Sequence, residues 1–302
     1  MKSPLVFQNQ PAFALTDSEN KILVSADRGA RVLKWERNGR AIIPWPDNAD
    51  WNRYRKIRGG DPVLFPFVAR HYVDGKNEFW RDASGTVRPM PQHGFALEAK
   101  FTVIEDGNDH ALRMRLTDSA ETRAIYPFSF QFDVVVSLLS GSRLEVRFET
   151  TNTGTNPLPY YAGHHFYFAI PHGERADWNL NVPSVDWGKR GDNGAVVHEK
   201  ATSDTFPLSD PAAIDRFQIQ PKTSRITLSN AVTQKQLTFE LAHEGINPWY
   251  VVTTWSETPE SDFYCIEPWL GIANAIHHGE GLRWVQPGQI DTAACTIDGS
   301  AW

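Results

Sequence analysis

Apolar and polar residues alternate with a period of two along much of this chain. The clearest run is FSFQFDVVVSLLS, which places six apolar side chains on one face, namely Phe128, Phe130, Phe132, Val134, Val136 and Leu138. After the turn SGS, the run RLEVRFETTN places Leu144, Val146 and Phe148 on one face. Because successive side chains of a strand point to opposite faces, these two runs predict an antiparallel hairpin.

Similar alternation recurs in other parts of the chain. HALRMRLTDS predicts a further strand, and TSRITLSN with KQLTFELAHE predicts a strand pair. Turn-forming segments such as RNGR, VDGKN, EDGND and NTGTNP separate the runs, and only short helical turns are expected, near residues 210–214 and 274–277. The pattern predicts an all-β fold, a large antiparallel β-sandwich in a single domain over residues 1–302.

Charge and cysteine content narrow the classes of function. The 302-residue chain has a formal net charge of −6, which argues against general nucleic-acid binding and against an anionic membrane surface as partner. No targeting or membrane-spanning segment is expected from the apolar runs. The two cysteines, Cys265 and Cys295, imply no disulfide framework. We therefore expect a cytoplasmic protein with free thiols, with a single disulfide as the alternative.

Two adjacent histidines interrupt the aromatic segment YYAGHHFYFAIP, residues 160–171. This segment predicts a strand, so His164 and His165 should point to opposite faces. The face with His164 is otherwise apolar, which favours a hydrogen-bonded core histidine. The face with His165 carries Gly163, which would leave space beside the ring, so His165 is expected to face a cavity. The alternative is an edge strand that tolerates both histidines.

Three further segments carry candidate chemistry. IRGGDPVLFPFVARHY contains Arg70, whose planar guanidinium can bind ligand oxygens, and MPQHGFAL places His93 in a loop. In DFYCIEPWLGIANAIHHGEG, alternation places Glu267 at a strand end among apolar neighbours. Burial there would raise the pKa of the Glu267 carboxyl and suit a general base. The alternatives are a salt-bridged glutamate and ordinary surface positions for Arg70 and His93.

Sequence signatures of other chemistries were not found. The chain has no HExxH, no paired CxxC, no phosphate-binding P-loop and no GxSxG motif. The adjacent histidine pairs at 164–165 and 277–278 have poor spacing for binding one metal ion within a strand. No metal site and no cofactor are therefore expected.

Taken in order, the four segments resemble the aldose 1-epimerase (galactose mutarotase-like) family over most of the chain. GHHFYF is similar to the family's histidine motif and selects His165 as the catalytic histidine, while YCIEPWLGIANAI selects Glu267 as the catalytic glutamate. GGDPVLFPFVAR and QHGFA resemble the segments that carry sugar-binding residues, here Arg70 and His93. The family's sugar-holding aspartate matches Asp215 in AAIDRFQI.

The resemblance implies a fold, a reaction and a partner. The fold would be a large β-sandwich with the site on a concave sheet face, and the partner a small sugar. The reaction would interconvert the α and β anomers of an aldohexose, with Glu267 taking the anomeric hydroxyl proton and His165 protonating the ring oxygen. Arg70, His93 and Asp215 would orient the sugar. A monomer or homodimer is expected.

Two positions depart from the family pattern. Phe166 stands where the usual residue after the histidine is proline, and Ala69 stands where many members have asparagine. Alanine in place of asparagine at position 69 would remove a side chain that could contact the sugar. A preference for galactose is therefore not implied.

Three alternative functions stay open at this point. In NRYRKIRGG, the cluster of Arg53, Arg55, Lys56 and Arg58 suggests a phosphate site and hence a hexose 6-phosphate substrate, although a solvated basic strand is the favoured interpretation. Paired carboxylates, Glu267 with Asp215, would suit a glycoside hydrolase. A non-catalytic sugar-binding protein on the same fold is the third.

Overall fold

The computed structural model describes residues 1–302, apart from the side chain of Asn193. Helix in this described chain is limited to α1 (Ala120–Ile125), α2 (Ala275–His278) and five 3₁₀ turns. The 3₁₀ turns are Trp51–Lys56, Ala96–Glu98, His172–Asp177, Asp192–Gly194 and Pro211–Ala213. Among the described residues, no helix has the length and apolar content needed to cross a membrane.

Strands make up most of the regular structure. The first strands are β1 (Lys2–Phe7), β2 (Gln10–Thr16), β3 (Asn20–Ser25), β4 (Arg31–Arg37), β5 (Arg40–Ile43), β6 (Val63–Leu64), β7 (Tyr72–Val73), β8 (Lys76–Asn77), β9 (Phe79–Arg81) and β10 (Val87–Pro89). The next are β11 (Thr102–Ile104), β12 (Ala111–Thr117), β13 (Phe130–Leu139), β14 (Arg143–Asn152), β15 (Leu158–Tyr160), β16 (Gly163–His164), β17 (Phe166–Phe168), β18 (Trp178–Asn181) and β19 (Ser184–Arg190). The last are β20 (Val196–Lys200), β21 (Thr205–Pro207), β22 (Arg216–Pro221), β23 (Arg225–Asn230), β24 (Gln236–Glu240), β25 (Val251–Trp255), β26 (Tyr264–Trp269), β27 (Arg283–Val285) and β28 (Ile290–Ala301).

Two large antiparallel sheets dominate the described structure. One has the strand order β11-β12-β13-β14-β28-β24-β23-β18-β21, and the other has the order β20-β19-β22-β25-β26-β16-β6, with β17 also paired to β26. Strands β1 to β5 form a separate antiparallel sheet that the sequence pattern did not reveal. The predicted all-β sandwich is confirmed.

The strands that the apolar–polar alternation predicts are present and pair as expected. Strands β13 and β14 form a hairpin in which Val136 lies opposite Val146 and Leu138 lies opposite Leu144. Strand β12 pairs with β13, and β23 pairs with β24. The two expected helical turns are the 3₁₀ turn Pro211–Ala213 and α2. Helix α1 was not predicted, because its six residues bury no side chain and show no apolar stripe.

Aromatic contacts join the two large sheets. The ring of Phe65, next to β6, stacks on Phe132 of β13 with 4.1 Å between centroids. Across the same layer, the His164 ring stacks on Phe148 of β14 at 4.4 Å. These contacts bury one face of β16 in the core, so the opposite face is available for a cavity.

The strand predicted over residues 160–171 is broken into three pieces, which corrects the sequence-based expectation. Strand β15 pairs with β27, whereas β16 and β17 both pair with β26. The break between β16 and β17 falls at His165. Its backbone N–H donates to the side chain of Asp61 rather than to a neighbouring strand, at 2.9 Å. A carboxylate thus replaces one ladder partner at this point of the sheet.

His71 makes the stability of this fold depend on pH. The side chain is fully buried, and its Nε2 is hydrogen-bonded to the Tyr161 hydroxyl. Burial lowers the pKa of His71 from 6.5 to about 3. Between these two values the unfolded chain binds a proton that the folded chain does not, so the free energy of unfolding decreases as the pH falls. The slope for one such histidine reaches about 1.4 kcal/mol per pH unit.

Replacing His71 by Gln is therefore expected to flatten the acid side of the stability profile by about one proton. Urea unfolding at several pH values below neutrality measures this slope. His110→Gln is the matched control, because His110 is exposed and its replacement should leave the slope unchanged. An unaltered slope in His71→Gln would contradict the assignment.

Candidate active site

A cavity of about 620 Å³ opens beside the break between β16 and β17. Its walls are formed by Arg31, Arg55, Lys56, Ile57, Arg58, Pro62, Arg70, Glu78, Gln92, His93, Leu97, His165, Tyr167, Arg190, Asp215 and Trp255. Four residues singled out from the sequence are in this wall, namely Arg70, His93, His165 and Asp215. Glu267, the fifth, lies next to His165.

The imidazole of His165 and the carboxyl of Glu267 face each other. Nε2 of His165 lies 3.6 Å from Oε1 of Glu267, and Glu267 is only 1% exposed. The His165 ring stacks nearly parallel on Tyr167, at 4.9 Å and 9°, and meets Trp255 edge-on at 5.6 Å. Aromatic packing therefore fixes the plane of the imidazole.

Burial shifts both members of this pair toward their uncharged forms. It raises the pKa of the Glu267 carboxyl well above 4.5, and the nearby Arg190 only partly opposes this effect. It lowers the pKa of the His165 imidazole to about 3, with a further contribution from Arg31. Burial thus disfavours the charged form of both side chains.

The carboxylate of Asp61 contacts His164 and His165 and fixes the position of both residues. Its Oδ1 accepts from the backbone N–H of His165, and its Oδ2 lies 2.8 Å from Nδ1 of His164. His164 is fully buried, with its ring stacked on Phe148 and Phe166 at 4.4 and 4.6 Å. The predicted division is confirmed, because His164 is a hydrogen-bonded core residue and His165 lines the cavity.

His93 is held by a reciprocal pair of backbone contacts with Ala69. The His93 N–H donates to the Ala69 carbonyl at 2.8 Å, and the Ala69 N–H donates to His93 Nδ1 at 3.1 Å. Burial, with His165 nearby, lowers the pKa of His93 well below 6.5. Nε2 of His93 lies 3.1 Å from Nε2 of Gln92. Gly94 permits this loop, because a Cβ there would lie 2.0 Å from the Phe65 carbonyl oxygen. These contacts fix the imidazole of His93 in the cavity wall.

The space expected beside Gly163 is filled, which corrects another prediction. A Cβ at Gly163 would lie 2.4 Å from Cδ1 of Trp269 and 2.8 Å from Cγ1 of Val68. The indole N–H of Trp269 also donates to the His164 carbonyl at 3.1 Å. Gly163 therefore admits a tryptophan against the backbone and leaves no room for a ligand.

Arg70 and Asp215 occupy more open positions of the wall. Arg70 is exposed, and its Nε donates to Oε1 of Gln92 at 3.0 Å. Asp215 has a left-handed backbone, with φ of 57°, and forms an ion pair with Arg190 at 2.8 Å. Both side chains keep contact with solvent and with the cavity, so both remain able to contact a ligand.

The cavity is cationic although the whole chain is acidic. Its described lining contains two carboxylates, Glu78 and Asp215, against six cationic side chains, namely Arg31, Arg55, Lys56, Arg58, Arg70 and Arg190. The favoured interpretation of NRYRKIRGG as a solvated strand is wrong, because residues 51–56 form a 3₁₀ turn whose end points into the cavity. Arg53 alone of that basic cluster is outside the described lining.

Sequence reasoning missed several residues that shape this site. Asp61 stands in the quoted segment GGDP, but its partners lie more than one hundred residues away, at separations of 103 and 104. Arg31 and Arg190 come from β4 and β19, which carried no recognisable motif. Trp255 could have been suspected only from the high tryptophan content, which does not give a position.

The sequence profile described as aldose 1-epimerase matches residues 12–290. The chain belongs to the aldose 1-epimerase family. The match spans every segment that carried the resemblance, from the glycine-rich loop to the strand of Glu267.

Individual relatives of this family member are distant in sequence and close in fold. The plasmid protein LacX of Lactococcus lactis subsp. lactis is 24% identical, over 82% of this chain and 84% of its own. The structure of Slr1438 from Synechocystis sp. PCC 6803 has a TM-score of 0.83 at 23% identity, covering 99% of this chain and 98% of that one. The galactose mutarotase related enzyme from Lactobacillus acidophilus has a TM-score of 0.78 at 23% identity, with 95% and 96% covered.

Removal of the Asp61 carboxylate should destabilise the protein next to the cavity. In Asp61→Ala, the His165 N–H and the His164 ring lose a buried acceptor, which is expected to lower the free energy of unfolding by about 3 kcal/mol. Asp61→Asn keeps one acceptor oxygen and should lose less. Urea unfolding of each variant measures the difference.

Asp215→Ala provides the matched control for this experiment. Its ion pair with Arg190 is more than one third exposed, so its removal should cost at most about 1 kcal/mol. Equal losses in Asp61→Ala and Asp215→Ala would contradict the anchoring role of Asp61.

Proposed function

We propose that this protein is a mutarotase that interconverts the α and β anomers of an aldohexose. The observation that carries the proposal is the 3.6 Å approach of His165 Nε2 to Glu267 Oε1 at the wall of a polar cavity. An acid and a base at this spacing can serve two oxygens bonded to the same carbon atom. The anomeric hydroxyl oxygen and the ring oxygen of a sugar are such a pair.

The proposed reaction transfers two protons in each direction. The Glu267 carboxylate takes the proton of the anomeric hydroxyl, the bond between C1 and the ring oxygen breaks, and protonated His165 gives its proton to that oxygen. The open-chain aldehyde then rotates about the C1–C2 bond. Closure on the other face of the carbonyl reverses both transfers and restores the pair.

The pKa shifts of the pair support this direction of transfer. A raised pKa makes the Glu267 carboxylate a stronger base, and a lowered pKa makes protonated His165 a stronger acid. Because burial disfavours the charged pair, the proposed reaction starts from a minor form in which His165 is protonated and Glu267 is ionised. Ring opening converts this charged pair into the uncharged pair, which burial favours. Each positioned proton transfer can contribute about 10²- to 10⁴-fold to the rate.

The remaining residues are proposed to hold the sugar. His93 offers an imidazole, Arg70 a guanidinium and Asp215 a carboxylate, while Tyr167 and Trp255 present flat rings to the cavity. Fixing the sugar in a reactive orientation is itself a catalytic contribution. The chemistry calls for no redox step and no transferred group.

We also infer a cytoplasmic location and a monomeric or homodimeric state. Cys265 and Cys295 are both buried free thiols, which supports a reducing compartment. Size-exclusion chromatography with light scattering would measure the oligomeric state directly.

Glu267→Gln tests the proposed base. The amide cannot take a proton, so the anomerisation rate should fall by about 10²-fold or more. The measurement is NMR relaxation of freshly dissolved α-D-glucose and α-D-galactose to anomeric equilibrium, with and without protein. The control is Glu240→Gln, in an exposed position of β24, which should keep the wild-type rate.

An unchanged rate in a folded Glu267→Gln would refute its role as base. Failure of the wild-type protein to accelerate any aldose would refute the mutarotase itself. In that event, release of reducing sugar from aryl glycosides would identify a hydrolase, and sugar binding without turnover would identify a binding protein.

A second candidate substrate is a hexose 6-phosphate. The cationic lining favours an anionic ligand, and Arg55, Lys56 and Arg58 bring the basic end of one segment to the cavity. Arg55 and Arg58 are held by ion pairs with Glu98 and Glu257, at 3.0 and 2.7 Å. Lys56, Arg31 and Arg70 form no ion pair with a described carboxylate within 4.0 Å, which leaves charge available to a phosphate.

Lys56→Met distinguishes the two substrates, because Lys56 lines the cavity and forms no ion pair with a described carboxylate. If the substrate is phosphorylated, KM for α-D-glucose 6-phosphate should rise by about tenfold or more, while turnover of α-D-glucose stays unchanged. Arg53→Met is the matched control, because Arg53 belongs to the same basic cluster but is outside the described cavity lining. Equal kinetics of the wild-type protein with both sugars would eliminate the phosphate candidate.

A further inference from the structure

Strand pairing brings a thiol to the acid/base pair. Cys265 and Glu267 are two residues apart on β26, so their side chains share a face, and Cys265 lies opposite Tyr167 of β17. The three ligand atoms of His165, Cys265 and Glu267 all lie within 4.8 Å of one another. An imidazole nitrogen, a sulfur and a carboxylate oxygen thus converge on one point beside the cavity.

This donor set matches the preferences of one class of metal ion. Zn²⁺ binds imidazole nitrogen, thiolate sulfur and carboxylate oxygen at about 2.0–2.3 Å, so ligand atoms of a tetrahedral site lie about 3.3–3.8 Å apart. The 3.6 Å between His165 Nε2 and Glu267 Oε1 already has this spacing. A side-chain shift of about 1 Å brings the widest pair of the trio to the same range.

The three donors are buried and accessible from one side. Cys265 is a fully buried free thiol, and Glu267 is 1% exposed, whereas His165 lines the cavity. Nδ1 of His165 has no hydrogen-bond partner among the described residues, so ring stacking rather than a polar contact orients Nε2. A cation entering through the cavity would meet Nε2 first, with the sulfur and carboxylate behind it.

We propose that His165, Cys265 and Glu267 form a binding site for one Zn²⁺ or a similar borderline-soft divalent cation, and that its occupation inhibits the protein. Thiolate and carboxylate balance the two positive charges, and the fourth position opens to the cavity. The site rests on geometry alone, whereas inhibition rests on the proposed function, since the metal occupies both the acid and the base. Mg²⁺, which prefers six oxygen ligands, is not expected to bind.

Zinc binding is measured without sugar, on the full chain freed of metal by a chelator and desalted. Zn²⁺ is titrated in competition with a chromophoric chelator, for the wild-type protein, Cys265→Ala and Cys295→Ala. The expected result is one Zn²⁺ per chain in wild type and Cys295→Ala, with at least tenfold weaker binding in Cys265→Ala. Cys295 is the matched control because it is a buried free thiol on β28, outside the trio.

Equal affinity in all three proteins, or no binding by the wild type, would overturn the proposal. Co²⁺ provides a second readout that does not depend on the folding of a variant. A thiolate-to-cobalt charge-transfer band is expected in the wild type and in Cys295→Ala, and its absence in both would also overturn the site.

The anomerisation rate separates this inference from the proposed function. Addition of Zn²⁺ should abolish acceleration by the wild type and by Cys295→Ala, while Cys265→Ala should remain active and at least tenfold less sensitive. A protein that binds Zn²⁺ as expected but accelerates no sugar would support the site and refute the proposed function. An active protein whose rate is unchanged at saturating Zn²⁺ would overturn the inhibition.

Discussion

The site depends on the buried carboxylate of Asp61. One oxygen accepts from the backbone of His165 and the other contacts the ring of His164, so one side chain fixes two neighbouring residues with opposite orientations. Because the His165 N–H bonds to this carboxylate, the strand is broken at the residue that must face the cavity. The core stacking of His164 and the approach of His165 to Glu267 both follow from this arrangement.

Burial of His165 and Glu267 costs stability, because charged forms of both side chains are disfavoured there. Neither a charged imidazolium nor a charged carboxylate is favoured in this position, because burial disfavours the charged form of both side chains. Shifts of this kind, caused mainly by burial, are frequent at catalytic sites. The cationic wall of the cavity, in contrast, can bind polar or anionic parts of a ligand.

Much of the fold was predictable, because alternation reports directly which side of a strand is buried. The β13–β14 hairpin and the different environments of His164 and His165 follow from that rule. Contacts between distant segments were not predictable. The bond from Asp61 to His165, the Trp269 ring that fills the space at Gly163, and the convergence of Cys265 with His165 all depend on strand pairing. The 3₁₀ turn at residues 51–56 was missed because its charges resemble those of a solvated strand.

The central claim is that Asp61 holds His165 in a buried position beside Glu267, where the uncharged ring is favoured. The most direct measurement is a ¹⁵N NMR titration of the His165 side chain in the sugar-free protein, assigned by comparison with His165→Gln. The account predicts a neutral ring throughout the range from about pH 8 to about pH 5, because burial lowers the pKa of His165 to about 3. Protonation of the His165 ring with a midpoint near 6.5, the ordinary value for histidine, would contradict it.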